Sequence, residues 1–335
     1  MTKKERIKSA LNAKPVDRIP FALWRYFPED DKSIDGLVNA TIRFVNRWDF
    51  DLVKVMVPNR LWTIPWGGTF KAYDRDVGFY PARKLLVRDT LDWKKVKHFN
   101  PRQGHFGEQI EVLRIIKREL GDDIPILGTI FAPLCVGIEL SGNNIHHQIV
   151  SGDRNARQAM GIITDILCDF AQACVEDAHI DGIFYVVQSA RKGAMSREQY
   201  IHFSLPDDLR ILERIAAKTW FNILHLCKPK LYFDMLKYFP VQAVNWHDRG
   251  NSGPTLREAR KIYPGLMVGG LDHERKGAFV SGVPEEAAFQ ADEAIEQLNG
   301  KGLILGPGCC ANLKTPEANI DAVRQLLTVR AHARL

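Results

Sequence analysis

The residues of this chain best suited to metal chemistry are His225, Cys227 and Cys309. His225 and Cys227 end the apolar run FNILHLC (221–227), and Cys309 follows the run GLILG (302–306). Residues two apart on a strand point to the same side, so His225 and Cys227 share a face one pleat apart. One imidazole nitrogen and two thiolates suit Zn2+, and three protein ligands leave a fourth position replaceable, the pattern of catalytic zinc. The bland alternative is a core histidine with two apolar thiols as filler. Cys310 adjoins Cys309 and is expected to point elsewhere. Cys135, Cys168 and Cys174 lie in helical context and are expected in the core.

For Cys309 to meet His225 across so wide a sequence gap, the strands must close on themselves. Eight short apolar runs rich in β-branched residues recur: 19–25, 51–57, 124–130, 182–187, 221–227, 243–246, 266–271 and 302–306. Helical patterns such as QIEVLRIIKREL and LPDDLRILERIAAKT lie between most of them, which is the βαβ signature of a parallel sheet. Eight strands with interposed helices predict an α/β fold, a (β/α)8 TIM barrel, over a single domain spanning 1–335. Residues 62–90 carry Gly67-Gly68 and alternating aromatics without a helical period, which predicts an inserted antiparallel ribbon acting as a lid.

In such a barrel chemistry sits on the loops after the strands. Those ends carry Arg25-Tyr26, Asn59-Arg60, Gln188-Ser189, His225-x-Cys227, His247-Asp248, Asp272-His273 and Gly308-Cys309-Cys310. A further motif, Asp177-x-His179-x-x-Gly182, matches the cobalt-ligating pattern of corrinoid modules. Here it closes a helix and leads into a strand, on the opposite face, so it is read as a turn.

The bulk numbers narrow the setting. The chain has 335 residues, 45% hydrophobic and 26% charged, which allows a large core without disulfides. A net charge of +6 is spread among interleaved acids, as in KKERIKSAL, so no nucleic-acid partner is expected. No stretch reaches the roughly 20 apolar residues of a membrane span, and the opening MTKKERIKSALNAK has no signal-peptide pattern. With six cysteines besides, the expected location is the reducing cytoplasm.

Several blocks resemble the uroporphyrinogen decarboxylase superfamily: KKERIKSALNAKPVDRIPFALWRYFPE, ILGTIFAPLCVGIELSG, LREARKIYPGLMVGGLDHE and, most specifically, LILGPGCCANLKTPEANIDAVRQ. That superfamily is a (β/α)8 barrel. Its true decarboxylases carry RQAGRY after the first strand, an aspartate after the second and a GHG turn after the eighth. This chain has Trp24-Arg25-Tyr26, Pro58-Asn59 and Gly306-Pro307-Gly308 at those places. His225, Cys227 and Cys309 instead match the branch of zinc methyltransferases that work with corrinoid (cobalamin) proteins, related to cobalamin-independent methionine synthase.

The resemblance implies a methyltransferase that moves a methyl group between a corrinoid carried by a separate protein and a small thiol or methylated substrate. It implies a corrinoid-binding protein and a small methyl donor or acceptor as partners, and leaves self-association into a homodimer open. It also implies a further ligand, or a group that orients His225 by accepting its hydrogen bond, from the end of the sixth strand, where Asp248 is the better fit and His247 its neighbour. Arg25 is a candidate for a substrate carboxylate or sulfonate, with Tyr26, Gln188 and Asp272 as further substrate-binding candidates. Two other readings stay open: a zinc-free, decarboxylase-like lyase and a non-catalytic zinc-binding subunit.

Overall fold

Among the described residues, seven parallel strands in strict sequence order make the sheet: β1 (Val53–Val55), β2 (Ile126–Phe131), β3 (Gly182–Val187), β4 (Ile223–Leu226), β5 (Ala243–Trp246), β6 (Leu266–Leu271) and β7 (Leu303–Pro307). This architecture comes from a computed structural model that describes residues 1–250 and 252–332. All seven strands are buried along their length, because helices cover the outer face and side chains fill the inner one. The longest helices packed outside are Ile34–Arg47, Gly104–Leu120, Arg154–Ala178, Leu205–Ala216, Pro284–Gln297 and Glu317–His332. The arrangement is TIM-barrel-like.

The first expected strand, 19–25, is reduced to one parallel bridge between Phe21 and Leu305. It nevertheless joins both edges of the sheet. Leu305 N–H donates to Pro20 (2.8 Å) and Ala22 N–H to Leu305 (3.0 Å), while Asp51 N–H donates to Phe21 (2.8 Å). Pro20 can donate no ladder bond, which shortens the strand. The seam is held by charge as well. Asp51 is wholly buried; its carboxylate accepts from Arg6 Nη1 (2.6 Å), from both Arg18 Nη atoms and from Phe21 N–H (2.8 Å).

The expected ribbon over 62–90 does not form as paired strands. Residues Asn59–Trp62 and Ile64–Trp66 are 3-10 turns, and the only antiparallel pairing described there is the Phe70–Ala82 bridge with hydrogen bonds from Lys71 to Pro81 and Arg83 to Thr69. Pro65 and Pro81 each lack the N–H a ladder needs, and Gly78 turns the chain at φ 83°. The resulting hairpin is pinned at its base: Asn59 donates to Tyr80 C=O (2.9 Å) and accepts from Tyr80 N–H (2.8 Å).

The corrinoid-like motif behaves as a turn. The helix Arg154–Ala178 ends on His179 in the left-handed region (φ 53°), and Gly182 opens β3 where a Cβ would lie 2.0 Å from Phe221 O. Asp177 is occupied by Arg102 (2.8 Å). Among the described residues no helix is long and apolar enough to cross a membrane.

Candidate metal centre

The strand ends surround a cavity of about 550 Å3. Its lining comes in pairs two residues apart: Trp24 with Tyr26, Lys54 with Met56, Thr129 with Phe131, Val186 with Gln188, and His225 with Cys227. That spacing is the pleat of a strand, in which alternate side chains point inward. It explains at once why Arg25 is not brought to the cavity. Lying between Trp24 and Tyr26, it points the other way, its guanidinium 4.9 Å from the Phe44 ring and 5.6 Å from that of Phe27.

His225 lies on β4 beside Val186 of β3 and Asn245 of β5. Cys227 prolongs β4 by donating its N–H to Val187 O (2.8 Å). Asn245, directly beside His225, ties the strands together by donating to Val268 O (2.8 Å) and Pro307 O (3.0 Å). β7 thereby returns to the same rim and delivers Cys309. One donor atom each from His225, Cys227, His247 and Cys309 lies within 4.8 Å of the other three. Tetrahedral zinc spaces nitrogen and sulfur ligands by about 3.6 Å, so a small contraction would enclose an ion. Cys227 Sγ and His247 Nε2 are already 3.9 Å apart. His225 Nδ1 is buried with no hydrogen-bond partner, an orphan that a buried site tolerates poorly without a ligand. The donor set and its spacing fit zinc.

Electrostatics of the four groups are coupled. Hydrogen bonds from the Cys227 and Cys310 thiols, against the cost of burial, hold the Cys309 thiol well below its ordinary pKa; Cys227 is pushed up by that same contact and by burial. Cys309 is thus the member favoured as thiolate. Burial pulls His225 down, whereas the Cys309 contact lifts His247 despite burial. His247 Nδ1 faces Glu274 Oε1 at 3.8 Å while its Nε2 faces the thiols, the carboxylate–histidine arrangement that orients metal-bound imidazoles.

Asp248 turns the opposite way. It is buried, accepts from Gly270 N–H (3.0 Å) and lies 3.8 Å from Arg249, and burial raises its pKa to about 6. Successive residues leaving β5 face opposite sides, so the rim position goes to His247 and not to Asp248. Asp272 does not line the cavity; it accepts from Glu274 N–H (2.9 Å) and shapes the loop that presents His273 and Glu274. Tyr26 and Gln188 do line it. Cys310, expected to point elsewhere, lines it too, because the chain after Pro307 leaves strand geometry and alternation lapses. Trp24, Lys54 and Glu274 escaped sequence reasoning, whereas His273 was among the strand-end residues and Asp74, Asp76, Val77, Phe79 and Pro81 come from the segment expected as a lid. The lone charge in VKV was the one available signal.

The uroporphyrinogen decarboxylase (URO-D) family pattern matches residues 2–328. The chain belongs to that family. Among curated members it is 22% identical over 334 residues to the methylcobamide:CoM methyltransferase MtbA of Methanosarcina acetivorans, covering 96% of both chains. It is 22% identical over 338 residues to the protein of that name from Methanosarcina mazei, again over 96% of each. Among solved structures, a methyltransferase from Methanosarcina mazei superposes with a TM-score of 0.82 at 18% identity, covering 98% of this chain and 99% of that one. In this URO-D family member the cavity at the strand ends carries the thiols and imidazoles just described.

Proposed function

We propose that this chain is a closed (β/α)8 barrel enzyme, a zinc-dependent methyltransferase acting between a corrinoid-binding protein and a small thiol or methylated substrate. The observation that carries this reading is the convergence of His225, Cys227, His247 and Cys309 on one point of the cavity. The likeness to two methylcobamide:CoM methyltransferases along nearly their whole length supports it. Zinc bound there would keep a substrate sulfur deprotonated at neutral pH, where a free thiol of pKa about 8.5 is mostly protonated.

The protein's own residues do the rest. His225 and Cys227 on β4 and its extension, with Cys309 just beyond β7, would hold the ion. His247, oriented by Glu274, would be the further donor able to hold the ion. The hairpin 69–82, seated by Asn59, covers the cavity and keeps water away from the reacting sulfur. Trp24, Phe131 and Val186 supply apolar walls. The test is turnover of methylcobalamin with a thiol by zinc-replete protein, followed by loss of the methyl-corrinoid absorbance. Zinc retention without turnover would make the chain a non-catalytic zinc-binding subunit.

Two predictions follow from the geometry. His247→Ala changes the zinc coordination shell seen by X-ray absorption, whereas Asp248→Ala leaves it unchanged. The Asp248 change costs stability instead, about 1–3 kcal/mol for the orphaned Gly270 N–H; an altered zinc shell in Asp248→Ala would put that carboxylate on the metal. Secondly, uroporphyrinogen is not decarboxylated. Its ring of carboxylates needs several cations, and the cavity's lysine and arginine lining is limited to Lys54, Lys228 and Arg275 among the described residues. Efficient formation of coproporphyrinogen would overturn this and favour the zinc-free lyase.

A further inference from the structure

Beside the four donors lies a second set, and the methyl-transfer reading gives one of its members, His273, no task. His247, His273 and Glu274 each bring a donor atom within 4.8 Å of the other two. His247 belongs to both sets, and its two nitrogens face apart: Nε2 is 3.9 Å from Cys227 Sγ, and Nδ1 is 3.8 Å from Glu274 Oε1. His273 Nε2 lies 3.6 Å from that same oxygen. Both separations are too long for hydrogen bonds. They are close to the roughly 3.4 Å between two donors that share a tetrahedral ion at about 2.1 Å. Two imidazoles and a carboxylate around an open position form a set that zinc and similar divalent cations take.

The loop that carries the pair is pinned. Asp272 N–H donates to the Gln290 side chain (2.8 Å), and the Asp272 carboxylate accepts from Glu274 N–H (2.9 Å). Gly277 leaves room for that carboxylate, since a Cβ there would lie 2.3 Å from Asp272 Cγ. Gly308 leaves room for the imidazoles, where a Cβ would lie 3.1 Å from His247 Cα and 3.2 Å from His273 Nδ1. Among the described residues Glu274 has no lysine or arginine partner, and its neighbour Arg275 faces Asp76 (3.5 Å). Exposure falls inward: the Glu274 side chain is 61% exposed, those of His273 and His247 only 12% and 10%.

We propose that His247, His273 and Glu274 form a second, outer metal position for a divalent cation such as zinc, joined to the inner one through His247. This rests on the zinc–thiol reading above, which supplies the inner ion. With both ions in place, His247 bridges them, Nε2 inward and Nδ1 outward. The outer ion takes the Nδ1 lone pair in place of the proton there, which leaves to solvent, and the imidazole becomes an imidazolate. Lacking thiolates and held partly by a carboxylate in water, the outer ion is the looser of the two. It is lost on desalting, so zinc retained by desalted protein reports the inner set alone.

The experiment is titration of the metal-free full chain with Co2+. Thiolate bonds to this ion give a near-ultraviolet charge-transfer band that imidazole and carboxylate bonds do not, whereas every such site absorbs in the visible. The wild type takes about two ions per chain. The tighter one raises the charge-transfer band, and the looser one adds visible absorption without enlarging that band. His273→Ala takes about one ion, a loss of about one equivalent, with the band at its wild-type height. Saturation of the wild type at one ion with the full band overturns the proposal without any variant. A second equivalent that survives in His273→Ala overturns it too, because the ion then lies elsewhere. So does loss of the band in a folded His273→Ala protein, which would put His273 in the inner set. A single equivalent without the band, absent from His273→Ala, would instead sink the zinc–thiol reading and leave the outer site standing. Circular dichroism shows that the variant is folded; should His273→Ala fail, Glu274→Gln, at an exposed position, replaces it in each arm.

Discussion

On the proposed zinc reading, replacing Cys309 with alanine is expected to lower bound zinc from about one ion per chain to less than about a tenth of that, and methyl transfer by a factor of about 100. The size follows from the ligand count. Cys309 is one of two cysteines in a set of four possible donors. It is also the one that the neighbouring Cys227 and Cys310 hydrogen bonds hold as an anion. Removing it relieves the contact that raises Cys227, but leaves that one buried thiol to carry the ion with imidazoles alone. Cys310→Ala retains the metal, because Cys310 lines the cavity but lies outside the cluster of four. Zinc per chain by mass spectrometry, with circular dichroism to show that each variant is folded, decides it. Equal loss in the two variants would exchange the roles of the adjacent cysteines. Zinc content untouched in both would remove the metal from this cavity.

The second large effect is on folding. Asp51→Ala destabilises the protein by roughly 3–5 kcal/mol, since it strands two arginines at a buried position. Arg6 and Arg18 both converge on this carboxylate, and the Phe21 N–H loses its acceptor with them. Arg6 keeps Asp17 and Arg18 keeps the more distant Asp49 (3.4 Å), so the 19–22 segment, which loses the Phe21 acceptor, bears most of the damage. The urea midpoint falls, and amide exchange accelerates first at Phe21 and Ala22, along the seam between β1 and β7. A midpoint within error of wild type would show that the backbone bonds alone hold the seam.

Much of this was legible in the sequence, and the misses share causes. Strands β3, β5 and β6 were readable to the residue, because apolar runs bounded by turn residues admit little slippage. The strand at 19–25 was readable as a run, but a run does not reveal that Pro20 leaves only one bridge. The 62–90 insertion was readable as non-helical; whether its halves pair depends on prolines placed against the ladder, a tertiary matter. His225, Cys227 and Cys309 stood out because soft ligands at strand ends are conspicuous. Arg25 and Asp248 were chosen for their chemistry and lost to alternation: each points opposite to the neighbour that faces the cavity. Lys54 was overlooked since a lysine in an apolar run is ordinarily a snorkelling edge residue. Cys310 was misjudged because alternation was carried past the end of β7.

The two-residue rhythm of the cavity wall has a consequence for how this scaffold can be rewritten. Met56, Thr129, Phe131 and Val186 face the cavity, while the residues between them face the surrounding helices. A library randomised at Met56, Thr129 and Val186, with the sulfur and imidazole donors held constant, samples new cavity shapes, while Phe131 stays in place because it stacks on Trp62, which meets Phe106 and Phe170 of the outer helices. The alphabet at each position is not equally open: Thr129 also bonds Val55 O (2.7 Å), so serine is its conservative neighbour, whereas Met56 and Val186 tolerate any apolar size the space admits. Acceptance of bulkier or smaller ligands is therefore tunable along three strand positions, independently of the chemistry at the rim.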